Sequence, residues 1–202
     1  MKKSSCSLLG LAFVLALSAS AATPTEPQGP PQSPQFTAAG QLLKPANYRE
    51  WVNVGTGLNM AYGPARNLTP NGHPPFTNVF VNPGSYRSFL QTGTWPDQTL
   101  FILEIRASLA VNKVPNGANG YYQGDLLGLE AHVKDEKRFA GRWAFFGFGK
   151  SGAAGVLIPT AAACYSCHAQ NAAVDTTFVQ FYPELRDIAK DKGTLGEVPE
   201  TF

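Results

Sequence analysis

Late in the chain stands Cys164-Tyr165-Ser166-Cys167-His168, and these residue types at this spacing carry a specific chemistry. Two thiols three residues apart lie on one turn of backbone and can reach the two vinyl groups of a haem to form thioethers. The next residue, His168, is then positioned to coordinate the iron. A C-x-x-C-H run is read as a c-type haem attachment for this reason, with one covalent haem c per chain held by Cys164, Cys167 and His168. Two rivals stand beside that reading. A zinc site needs two further ligands, and only His73 and His132 remain to supply them, with no second cysteine pair. A thioredoxin-like thiol pair would open a helix after a strand in a βαβ pattern, which this chain lacks.

The sixth coordination position separates two uses of such a haem. Electron carriers usually fill it with Met or His, whereas a ligand-binding centre leaves it open. The residues available are Met60 in "GTGLNMAYGP", His73 in a Gly/Pro-rich turn and His132 on a strand face shared with Glu130 and Lys134. They read as a loop or packing residue, a solvated turn residue and a surface strand residue. An open, five-coordinate iron is therefore expected.

The elements that must position these side chains follow from periodicity. Pro45 precedes "NYREWV", and "NPGSYRSFLQTG" offers Asn82 as N-cap, Pro83 at the first helical position and Gly93 as terminator, so two short helices are expected early. The period then becomes two. In "FTNVFVN", Val79 and Val81 share one face while Asn78, Phe80 and Asn82 share the other. "TLFILEIR" (99–106) is an apolar run of strand length rich in β-branched and aromatic residues. "LGLEAHVK" alternates with Leu127, Leu129, Ala131 and Val133 inward, and "RWAFFGF" (142–148) is an aromatic strand. "PNGANG" and similar punctuation suggests hairpins. Near the C-terminus Phe178, Phe181, Tyr182, Leu185 and Ile188 are spaced for one helical face, which Pro183 would kink or break near its start. The fold class is α+β, mainly antiparallel β-sheet with short helices and a C-terminal helical segment carrying the haem-attachment motif.

Residues 1–22 begin with Lys2 and Lys3, continue into "LLGLAFVLAL" and end in "SASAA". This reads as a cleaved signal peptide and places the mature protein in the periplasm; the apolar run is about half of what a membrane-spanning helix needs. Residues 23–37, rich in Pro and polar side chains, read as a disordered linker. Residues 38–192 form one haem domain, and 193–202 a flexible tail. Without Lys2 and Lys3, 16 − 2 = 14 basic residues balance 14 acidic ones. That balance argues against nucleic acid and anionic membrane as partners.

The stretches "LLKPANYREWVNVGTG", "FVNPGSYRSFLQTGTWPDQT", "NGYYQGDLLGLEAHVKDEKRF", "WAFFGFG", "CYSCH" and "FVQFYPELR" together resemble the cytochrome P-460 family, which includes the cytochromes c′-beta. The resemblance runs from about residue 40 to about 190. It implies a mainly antiparallel sheet, a haem attached near the C-terminus by Cys164 and Cys167, a proximal His168, an open distal side and a homodimer. Members called P-460 proper oxidise hydroxylamine, and in them a strand lysine is bonded to the macrocycle in a pattern like T-x-x-x-K-E. The matching "TLFILE" places Leu103 there, and no lysine lies between Lys44 and Lys113. Where such members can carry a distal basic residue, this chain has Phe80.

Phe80 and Leu103 are thus expected to form an apolar lid over the iron. A pocket without a base is poorly suited to taking protons from hydroxylamine and suits a small neutral diatomic instead. The leading expectation is nitric oxide binding of the c′-beta kind. An oxidoreductase acting on hydroxylamine or another nitrogen species is the first alternative, with Glu104 or Arg106 supplying polar groups if their strand faces the other way. An electron-transfer cytochrome with its own redox partner is the second.

Overall fold

The computed structural model describes residues 32–60, 72–111 and 119–197. The expected signal peptide, most of the expected linker and the end of the expected tail lie outside these residues. Among the described residues, seven strands form one antiparallel sheet. They are β1 Leu42–Leu43, β2 Val52–Leu58, β3 Phe76–Val81, β4 Leu100–Val111, β5 Gly120–Lys134, β6 Trp143–Gly149 and β7 Ala154–Leu157. From β2 to β7 each strand pairs with its sequence neighbour, and β1 adds to the free edge of β7. Three helices accompany the sheet: α1 Pro83–Thr92, α2 Ala163–Asn171 and α3 Pro183–Asp191. The fold is α+β with sheet predominant, as the alternating patterns required.

The α1 boundaries follow the punctuation. Asn82 is extended, Pro83 opens the helix, and Gly93 closes it at φ 71°, a left-handed conformation that costs glycine little. The Asn82 side chain does not cap the helix. Its Oδ1 accepts the Leu100 N–H at 2.9 Å instead, tying the start of α1 to β4. "NYREWV" yields only a single 3-10 turn at Tyr48–Glu50. Pro183 begins α3, so the C-terminal apolar series is divided: Phe181 ends a separate 3-10 turn, while Leu185 and Ala189 bury the α3 face. β2 was illegible because Gly55 and Gly57 interrupt its pattern. At Gly55 a Cβ would meet the Tyr182 ring at 2.9 Å, so the bare backbone is what lets α3 approach.

Both faces of the sheet are covered. On one, Val81, Phe101 and Trp143 pack with Phe89, Trp95, Val179, Tyr182 and Leu185 from the helical side. On the other, Ile102, Leu129, Ala131, Val133 and Phe146 pack with Leu42, Tyr48 and Trp51, and Phe36 joins them. Thr194 also meets the domain, donating to the Gly93 carbonyl at 2.7 Å. The double cover corrects the expectation that His132 is a surface residue, for it is only 8 % exposed and Lys134 only 5 %. Alternation says which residues share a face; what covers the second face depends on where the C-terminal segment docks.

Candidate functional site

The helix α2 carries both thiols and His168 and buries none of its residues fully. Cys164, Tyr165, His168 and Asn171 are half-buried on one stripe, while Ala163, Ser166, Cys167, Ala169 and Gln170 are exposed. A nine-residue helix gains little from propensity and depends on packing. Tyr165 supplies part of that: its ring meets Phe145 edge-on at 4.9 Å, and its hydroxyl accepts the Phe145 N–H at 3.3 Å and donates to the Ile158 carbonyl at 3.1 Å.

His168 is held on four sides. Its ring lies 4.7 Å from Phe145, 5.0 Å from His132 and 4.4 Å from Phe178, centroid to centroid. Its Nδ1 is 2.7 Å from the Thr176 carbonyl. A carbonyl only accepts, so Nδ1 carries the hydrogen and the Nε2 lone pair is left for a metal. Burial lowers the His168 pKa and outweighs the opposing Thr176 hydrogen bond, which favours the neutral, ligating form. Burial also raises the Cys164 pKa, with the Glu130 charge adding to the effect, and so keeps that thiol protonated.

The register shows what lies beside this cluster. Val81, Phe101, His132 and Phe145 form one cross-strand row, buried, under the imidazole. The next row on the same face is Val79, Leu103, Glu130 and Gly147, all half-buried. Beyond it Ile105 faces Gly128, where an added Cβ would have only the Ile105 side chain near it, at 3.7 Å. An apolar shelf with two glycines and one carboxylate therefore lies one row from the residues that pack on His168, and its carboxylate, Glu130, is close enough to act on Cys164. The buried His132 Nε2 and Trp143 Nε1, both on this face, have no protein partner. This donor set fits a flat, apolar macrocycle with polar edges. It does not fit zinc, because among the described residues no group of three His, Cys, Asp or Glu side chains converges.

Other residues that could ligate iron are placed elsewhere. The chain has three histidines, and its methionines are Met1 and Met60. The ring of His132 packs edge-on against that of His168 and walls it. Met60 is 48 % exposed beyond the end of β2. Its sulfur lies over Gly57 on the edge strand β2, in the row that runs through Thr77 and Ile105 to Gly128. His73 lies tilted against Tyr121, ring centroids 5.0 Å apart, at the far end of β5.

Leu103 and Phe80 are not brought together. Leu103 pairs with Val79 and Glu130 on the face that carries His168. Phe80 pairs with Ile102 on the opposite face and packs against Tyr48 at 5.8 Å. The expected joint lid is corrected here: alternation in each strand was read properly, but one residue of register between β3 and β4 decides which sides coincide. Glu104 and Arg106 also lie on the opposite face. Glu104 is fully buried, accepting from the Tyr48 hydroxyl at 2.6 Å, Arg49 at 2.6 Å and Arg106 at 2.8 Å. Glu130 is a carboxylate on the shelf. Its neighbour relation to Cys164 needed tertiary structure, because β5 and α2 are far apart in sequence.

No curated protein matches this chain. The family model described as Cytochrome P460 matches residues 45–179, from before the 3-10 turn at Tyr48 through β2 and the whole of α2. With the motif, the sheet and the shelf beside His168 in agreement with it, the chain belongs to the cytochrome P460 family and is a haem cytochrome of that kind.

Proposed function

We propose that this protein is an exported, periplasmic mono-haem cytochrome of the c′-beta type that binds nitric oxide or a related small ligand at an open iron position. Cys164 and Cys167 hold the haem covalently, and His168 is its proximal ligand. The observation that carries this reading is the placement of the other His and Met among the described residues. His132 packs on His168 itself, His73 lies against Tyr121 at the far end of the sheet, and Met60 is exposed over Gly57 on the edge strand β2. Bound haem would supply an iron able to take a small diatomic ligand. The protein's part is to keep His168 neutral and oriented through Thr176 and to present Val79, Leu103 and Ile105 as apolar surface beside the site. Apolar surroundings favour a ligand that needs little hydrogen bonding.

The test is titration of the reduced, haem-loaded protein with nitric oxide, followed optically. Saturation at one equivalent per chain is expected, and an unchanged spectrum would overturn the reading.

Glu130 supports a second reading. A half-buried carboxylate on the His168 face, close enough to Cys164 to affect its ionisation, is a group that could take a proton from hydroxylamine. Steady hydroxylamine turnover with an electron acceptor, lost in Glu130→Gln, would favour oxidation over simple binding.

A further inference from the structure

The proximal imidazole is oriented by a turn that would not hold its shape unaided. Val174 and Thr177 close it with reciprocal backbone hydrogen bonds, Thr177 N–H to Val174 O at 2.8 Å and Val174 N–H to Thr177 O at 3.2 Å. The two central residues, Asp175 at φ 45° and Thr176 at φ 62°, are both left-handed. Such a turn favours Asn-Gly or Asp-Gly. Asp tolerates its position, whereas a β-branched Thr at positive φ is a genuine outlier. Relaxation of Thr176 to negative φ would swing its peptide plane, and the carbonyl of that residue is the acceptor for His168 Nδ1.

The sheet supplies the restraint. Asp175 Oδ2 accepts from Lys134 Nζ at 2.8 Å, and Oδ1 accepts from Arg142 Nη2 at 2.9 Å. The Lys134 side chain is only 6 % exposed and also donates to the Trp95 carbonyl at 2.8 Å. Trp95 in turn donates from Nε1 to Thr177 Oγ1 at 2.8 Å, and that hydroxyl donates to the Val174 carbonyl. Lys134 follows His132 by two residues on β5, so a single strand both walls the His168 ring and anchors the turn that accepts from it.

We propose that Asp175, clamped by Lys134 and Arg142, is a positioning residue for His168 that sets the strength of the Nδ1 hydrogen bond and hence the basicity of the proximal ligand. This rests on the reading of His168 as iron ligand. Outer partners of a ligating histidine fix its tautomer and raise its basicity. A loosened clamp therefore gives a weaker donor ligand and a higher reduction potential.

The experiment uses the full-length, haem-loaded protein and reads the reduction potential and the iron–histidine stretching frequency of the reduced state. Asp175→Ala is expected to shift the reduction equilibrium roughly tenfold toward the reduced form, about 59 mV for one electron, and to lower the stretching frequency. Arg142→Ala, at a side chain 54 % exposed, is expected to move both in the same direction by less. Asp175→Asn combined with Thr176→Gly restores the favoured turn sequence without the charge, and is expected to return both values to those of the parent. A purely structural ion pair would not show that rescue. Should Asp175→Ala fail to yield soluble holoprotein, Arg142→Ala and the double variant decide. Parent values in folded, haem-loaded Asp175→Ala and Arg142→Ala would overturn the clamp alone. A parent protein that carries no haem on His168 would instead overturn the ligand reading, and the clamp with it.

Discussion

The imidazole of His132 meets that of His168 edge-on, with ring centroids 5.0 Å apart, from one face of one sheet. A residue so placed buttresses the imidazole that the proposed function makes the iron ligand. His73 lies against Tyr121 at the opposite end of the strands, and Met60 is 48 % exposed over Gly57 on the edge strand β2. Met60→Ala and His73→Ala should therefore leave the reduced and oxidised haem spectra of the protein unchanged. A loss of bands characteristic of a six-coordinate, low-spin iron in either variant would restore the electron-carrier reading.

The two faces of the sheet can be told apart by placing the same amine on each. Leu103→Lys puts it on the His168 face opposite Glu130, its register partner, which offsets the charge. Phe80→Lys puts it on the far face beside Tyr48. If the macrocycle rests on the shelf, Leu103→Lys displaces the Soret band of the reduced protein. Phe80→Lys leaves that band in place while lowering stability. Equal spectral effects from both would show that the shelf is not where the haem lies.

Covalent attachment predicts a graded response. The pair Cys164→Ser and Cys167→Ser should abolish haem staining of the denatured chain, since no thioether can form, whereas either single change leaves one bond. His168→Ala should retain the stain yet alter the spectrum of the folded protein. Stain surviving in the double variant would contradict the assignment.

Glu104 governs the acid limit of the domain. Burial pushes its pKa up, but hydrogen bonds from Arg106 and Tyr48 and the charges of Arg106 and Arg49 outweigh this and hold the carboxyl below its usual range. The unfolded carboxyl, near about 4.3, then binds protons before the folded one does. The stabilisation is complete above that value and is lost as pH falls through the lower folded pKa. Glu104→Gln should cost about 1–3 kcal/mol by weakening the hydrogen bonds from Tyr48, Arg49 and Arg106. It should also flatten the fall in urea midpoint below about pH 4.3. An unaltered acid profile would assign that fall to other groups.

Much of this was legible in the chain itself. Cys164, Cys167 and His168 declare their chemistry locally, because thioether formation and ligation need only two thiols and an imidazole at a fixed spacing. The bounds of α1 follow from Asn82, Pro83 and Gly93, since proline and glycine restrict or free φ whatever surrounds them. The alternation of β3 to β6 likewise reflects the pleat of each strand alone. Tertiary structure decided the rest. Register between β3 and β4 separated Phe80 from Leu103, and register is a relation between strands that a periodicity of two leaves free by one residue. Docking of the C-terminal segment on the second face buried His132 and brought Glu130 toward Cys164. The same docking set the Thr176 carbonyl against His168, because contacts between residues distant in sequence follow from how the whole chain packs.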